Sequence, residues 1–195
     1  MNKAELMAFE EEIADLFNQG KIPYPIHLES GNEYQLFDVF SQIQKKDWLF
    51  GSWRMHLKAL LKGVPRTVLR DAILRGESIS LCFPQYRIMS SAIVGGIIPI
   101  AMGTAMGIKR QGGSERVHCF LGDMTGYTGA FHESRQYARN HGLPIRWIIE
   151  DNGKSVMTET AVAWGGLMDW SGDDIVVYQY QTKWPHSGAG KRVEF

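Results

Sequence analysis

The chain has 195 residues and is 44% hydrophobic, enough to bury one sizeable core, so residues 1–195 read as a single domain. Lys plus Arg equals Asp plus Glu at 21 each, with the signs interleaved. That balance excludes a strong field toward nucleic acid or an anionic membrane and argues against a charged, disordered tail. Two cysteines, Cys82 and Cys119, lack CxxC spacing and point to reduced thiols in the cytoplasm.

The first segment, from Lys3 to about Asn18, places Leu6, Phe9, Ile13, Leu16 and Phe17 at helical spacing, with Gly20 as terminator. It reads as an N-terminal helical extension, acidic and unlike a signal peptide. YPIHLESGNEYQLFDVFSQI starts extended and turns helical, with Ser30 or Asn32 as cap. DWLFGSW is short and aromatic, as in a buried strand and turn. Two helical pieces follow, RMHLKALLKG and PRTVLRDAILRG, each closed by glycine, and Pro65 suits the first turn of the second. SSAIVGGIIPIAMGTAMGI approaches the length of a membrane span. Gly95, Gly96 and Pro99 interrupt it, so a buried loop leading into a close-packed helix from Pro99 to about Lys109 fits better.

The pattern then changes. RVHCFLGD is a strand ending in a turn, YTGAFHESRQYARNHG an amphipathic helix, LPIRWIIEDNG a second strand and DDIVVYQYQ a third. Strand–helix–strand order implies an α/β fold, a parallel sheet flanked by helices, with ligands bound beyond the carboxyl ends of the strands. Two of those ends carry Asp123 and Asn152, separated by roughly one β-α-β unit of about thirty residues. Neighbouring strands would bring a carboxylate and a carboxamide together, a donor set suited to magnesium. Gly122, Gly126 and Gly129 would let the backbone turn sharply, and a helix from Tyr127 would offer its amino end to an anion. Taken alone, Asp and Asn at strand ends are more often turn residues that cap a helix.

LGDMTGYTGAFHESRQYARNHGLPIRWIIEDNGKSV resembles the thiamine-diphosphate motif, a GDG ending one strand and an Asn ending the next. It is most similar to the alpha subunit of 2-oxo acid dehydrogenase decarboxylase components of the pyruvate, branched-chain and acetoin type. IVGGIIPIAMGTAMGIKRQGGSERV, WRMH, IHLESGNE and YQYQTKWPHSG extend the likeness over most of the chain. The resemblance implies the thiamine-diphosphate-binding fold. Asp123 and Asn152 would hold Mg2+ through side-chain oxygens, with Lys154 adding its carbonyl. Arg54 would grip the diphosphate, with Trp53 in the place of the family's tyrosine. Gly122, Met124 and Thr125 would face the phosphates, while Ala92 and Val94 would lie beside the thiamine rings. His186 would fall at the active-site histidine, and His27 on the substrate side. Each has a plain structural counterpart: arginine beside tryptophan often just stacks on the surface, His56 reads as structural, and Glu133 as part of a solvated helix face.

Met124 departs from the family's GDG and is expected to tighten the loop. Gln179 removes a positive charge found in the family, and the stretch from Asn152 to His186 is short. The glutamate that activates the cofactor's aminopyrimidine lies in a separate pyrimidine-binding domain, so the resemblance implies a beta-type partner in a heterotetramer, with a lipoyl acyltransferase as a further partner. The implied activity is decarboxylation or cleavage of a 2-oxo acid or acyloin. A cofactor-binding remnant without turnover is the alternative. A dinucleotide- or nucleotide-binding protein is not: no GxGxxG follows a strand, and GAGKR lacks P-loop spacing.

Overall fold

In a computed structural model, residues 1–190 are described. Helix α1 (Lys3–Asn18) opens with a capping box, Asn2 and Glu5 bonding each other's backbone N–H. Then follow α2 (Glu33–Phe40), β1 (Trp48–Gly51), α3 (His56–Leu61), α4 (Arg66–Leu74), β2 (Cys82–Phe83) and β3 (Ile88–Ser90). The second half holds α5 (Ile97–Arg110), β4 (Val117–Gly122), a single turn α6 (Asp123–Gly126), α7 (Gly129–Asn140) and β5 (Ile145–Asp151). It continues through β6 (Lys154–Ser155), β7 (Thr158–Glu159), α8 (Thr160–Trp164) and β8 (Ile175–Gln179).

Six strands form one sheet in the order β2-β3-β1-β4-β5-β8, parallel except at the β2–β3 edge, with helices on both faces. The alternation of side chains across a strand sorts the core into two layers. Leu49, Phe120 and Ile148 face α1, α3 and α4; Phe50, Cys119, Leu121, Trp147 and Ile149 face α5 and α7. The expected α/β architecture is therefore present, with one addition: the antiparallel edge was not foreseen. The apolar SSAIVGG stretch is a turn running into α5, and no helix among the described residues is long and apolar enough to cross a membrane.

The N-terminal and C-terminal segments close over the same end of the sheet. His27 bridges Gly188 in parallel, and Gly188 donates its N–H to the carbonyl of Ile26 at 2.9 Å. Gly31 has φ +105°, and a Cβ there would meet the Gln181 carbonyl oxygen at 2.1 Å, so both conformation and space demand glycine.

Candidate cofactor site at the carboxyl ends of the strands

Strands β4 and β5 run parallel in a register that pairs Gly122 with Glu150, which sets Asp123 and Asn152 on the same rim of the sheet. They line one cleft with Ser52, Trp53, Arg54, Gly122, Met124, Thr125, Lys154, Val156, Tyr180 and His186 among others. Of the residues singled out from sequence, nine are brought together here: Trp53, Arg54, Gly122, Asp123, Met124, Thr125, Asn152, Lys154 and His186. Three stand apart. Ala92 and Val94 occupy the turn before α5, Val94 being 58% exposed, and His27 packs behind the cleft against the rings of His186 and Trp53 at 4.9 and 5.5 Å.

Asp123 is buried, and its carboxylate accepts a hydrogen bond from the Thr160 hydroxyl. Burial, with the charge of Asp151, raises its pKa despite that bond. A buried carboxylate pressed by a second one is relieved by a cation. Asn152 turns its side-chain oxygen toward the N–H of Lys154 at 3.2 Å, and Asp151 does the same for Gly153 at 2.9 Å, closing the turn after β5.

Arg54 bonds the carbonyls of Leu28 and His186 at 3.3 and 3.0 Å, and approaches His186 Nδ1 at 3.4 Å. Among the described residues no carboxylate pairs with it, so a guanidinium with its charge unmatched lines the cleft. The buried indole Nε1 of Trp53 has no partner either. An unmatched guanidinium, a loose N–H donor and a buried acidic oxygen fit an anionic diphosphate carried with a divalent cation.

The two histidines are neutral for separate reasons. The Nδ1 of His27 lies 2.7 Å from the His186 carbonyl, which only accepts, so that nitrogen carries the proton. Burial lowers its pKa to about 4. His186 faces the Arg54 donor through Nδ1, and burial together with Arg54 lowers its pKa. His56 is structural as expected, buried and bonded to Ser78 at 2.9 Å, its pKa pushed down by burial to about 3. Glu133 is exposed on α7.

Three local expectations are corrected. Gly122, Gly126 and Gly129 all have negative φ, so none serves a left-handed turn. Gly126 is instead required by packing, because a Cβ would meet the Trp170 ring at 2.5 Å. The helix expected from Tyr127 begins at Gly129, capped by the Thr128 hydroxyl, and Tyr127 stacks on Trp164 with ring centres 4.9 Å apart. Met124 sits in the helical turn α6, where the backbone accepts any side chain, so it does not distort the loop.

Beneath the cleft lies a cluster that sequence reasoning missed. Lys58 is fully buried, paired with Glu150 at 2.7 Å and with Glu29. Glu150 also accepts from the Tyr178 hydroxyl, and Glu10 accepts from the Glu29 N–H and the Ser30 hydroxyl at 2.8 and 2.6 Å. Burial disfavours the Lys58 ammonium, yet Glu150 and Glu29 hold its pKa above the ordinary value. Burial raises Glu10 and Glu150 to about 7, Glu29 adding to the effect in both. One signal was visible: Glu10 interrupts the apolar stripe of α1 between Leu6 and Ile13.

Residues 1–166 match the family described as Dehydrogenase E1 component. The chain belongs to that family. It is 28% identical over 160 residues to the alpha subunit of acetoin:2,6-dichlorophenolindophenol oxidoreductase from Bacillus subtilis, covering 76% of this chain and 48% of that protein. It is 33% identical over 166 residues to the alpha subunit of the pyruvate dehydrogenase E1 component from Rickettsia prowazekii, covering 80% and 51% respectively. The chain thus spans about half the length of the curated relatives it matches. A solved structure of an enzyme from Mycobacterium smegmatis, assigned as thiamin diphosphate-dependent, overlaps 60% of this chain and 19% of its own at TM-score 0.42 and 17% identity.

Proposed function

We propose that the chain is the diphosphate- and magnesium-binding part of an alpha-type subunit of a thiamine-diphosphate enzyme. With a beta-type pyrimidine-domain partner, it decarboxylates or cleaves a 2-oxo acid or acyloin in the cytoplasm. Family membership supports the class. The observation that carries the reading for this chain is one cleft lined by Asp123, which is buried, by Asn152, and by Arg54 and the Trp53 N–H, which among the described residues have no counter-ion and no partner.

In this reading Asp123 and Asn152 hold Mg2+ through side-chain oxygens, and Lys154 adds its carbonyl. Arg54 and Trp53 Nε1 donate to the diphosphate, beside the backbone of Gly122, Met124 and Thr125. When bound, thiamine diphosphate supplies the electron sink for breaking the bond next to a carbonyl, while the protein binds and orients it. Neutral His186 at the rim offers Nε2–H toward the reacting groups, and His27 holds the His186 backbone through its carbonyl. In the same reading Val94 and Ala92, outside the cleft lining, meet the thiamine rings and are covered by the partner subunit. Heterotetrameric assembly and transfer to a lipoyl acyltransferase follow from the same reading.

Titration calorimetry with thiamine diphosphate and Mg2+, on the chain alone and with a beta-type subunit, tests it. Saturable heat is expected with the native chain and none with Asp123→Ala. Absence of heat from the native chain in both settings overturns the reading. Turnover of a 2-oxo acid by the reconstituted pair separates an active subunit from a cofactor-binding remnant.

A further inference from the structure

Asp123 and the turn Asn152–Lys154 come from different strand ends, and a cation held between them requires a fixed separation. The ladder between β4 and β5 sets the rim but ends at Gly122 and Glu150, before either candidate ligand. One residue reaches both. Thr160 is 1% exposed at the start of α8; its hydroxyl donates to Oδ2 of Asp123, and its own N–H donates to the carbonyl of Gly153 at 2.9 Å. The hairpin β6–β7, pairing Lys154 with Glu159 and Ser155 with Thr158, folds the chain back so that Thr160 lands beside the turn it left.

We propose that Thr160 is a positioning residue for the divalent-cation site, fixing the Asp123 carboxylate against the Asn152–Lys154 turn. The inference rests on the cation reading of the preceding subsection. A carboxylate with one oxygen pinned by a hydroxyl cannot rotate freely, so its remaining lone pairs point in a set direction. The Thr160 N–H does the same for the opposing segment through Gly153. The segment carrying Thr160 is itself anchored: Tyr127 accepts from the Met168 N–H at 2.7 Å, and Arg135 holds Asp174 at 2.7 Å. Thr160 therefore bonds both ligand segments at once.

The test uses the full chain with Mn2+ as probe in the presence of thiamine diphosphate, free Mn2+ being counted by its paramagnetic resonance signal. Thr160→Val keeps the shape and removes the hydroxyl; Thr160→Ser keeps the hydroxyl. Loss of about 10- to 100-fold in Mn2+ affinity is expected for Thr160→Val, the usual effect of removing an outer partner of a ligand, with Thr160→Ser close to the native chain. Melting followed by circular dichroism without metal confirms that each variant is folded. Should Thr160→Val not fold, Thr160→Ala carries the same expectation. Native affinity in the hydroxyl-free variant overturns the proposal, and so does tighter binding, which would make the hydroxyl a competitor of the cation. Equal losses in both variants assign the effect to packing and overturn it too. A native chain that takes up no Mn2+, either alone or with a beta-type subunit, overturns the cation reading itself, a result distinguishable from any difference among the variants.

Discussion

Two buried polar clusters sit at opposite ends of the same sheet and are built on different terms. At the amino ends of β1 and β4, Asp47 accepts from the N–H groups of Arg116 and Gln44, both at 2.9 Å, and from the His118 ring at 3.2 Å. Burial works against the Asp47 carboxylate, but those donors overcome it and lower its pKa. Its loose end is the Nδ1 of a neutral ring, since burial lowers the pKa of His118. At the carboxyl ends, the carboxylates of Glu10, Glu29 and Glu150 gather around the single ammonium of Lys58, and Oε2 of Glu29 and Oδ1 of Asn32 have no partner. A charge whose bonds are complete fastens strands together and does nothing else. Burial and the charge of Glu29 keep the pKa values of Glu10 and Glu150 raised, and this cluster lies under the cleft, where Glu150 forms part of the wall.

The largest effect expected from this contrast is at Lys58. Lys58→Met strands Glu29 and Glu150 without their cation and should cost about 3–5 kcal/mol in urea denaturation, the range for breaking a buried pair. A loss below that would mean Glu150 already carries a proton in the native cluster. Asp47→Ala should cost less, about 1–3 kcal/mol, because it orphans two backbone N–H groups and one ring but leaves no charge behind. That loss should be present above pH 3.8 and vanish as acid protonates the native Asp47 through its lowered folded-state value. Tyr178→Phe, which removes one donor from Glu150, should cost about 1 kcal/mol by thermal melting.

The smallest and sharpest test is a slope. Burial and the charge of Glu29 raise Glu10 from 4.5 to about 7, so the stability it contributes is whole below 4.5 and lost as pH rises through about 7; Glu150 is raised in the same direction by burial. Glu10→Gln should therefore decline less in stability between those limits than the native chain, measured by denaturation at stepped pH. An unchanged slope would place the titration elsewhere. No such decline is expected from the Asp47 cluster over the same range, because its carboxylate is already ionised there.

Taken alone, the sequence determined the strand–helix order, the position of β4 and β5, and the rim on which Asp123 and Asn152 meet. Those features follow from periods of two and 3.6 residues and from polar strand ends, which are local and can be counted along a chain. Tertiary structure decided the rest. Lys58 meets Glu150 from a helix far away in sequence, Thr160 reaches Asp123 from beyond a hairpin, and His27 is held behind His186 by pairing of distant segments. Neither the hydroxyl of Thr160 nor the ammonium of Lys58 differs in sequence from any surface threonine or lysine. Only burial, which depends on what the folded chain lays over them, turns one into a clamp and the other into a buried cation among three acids.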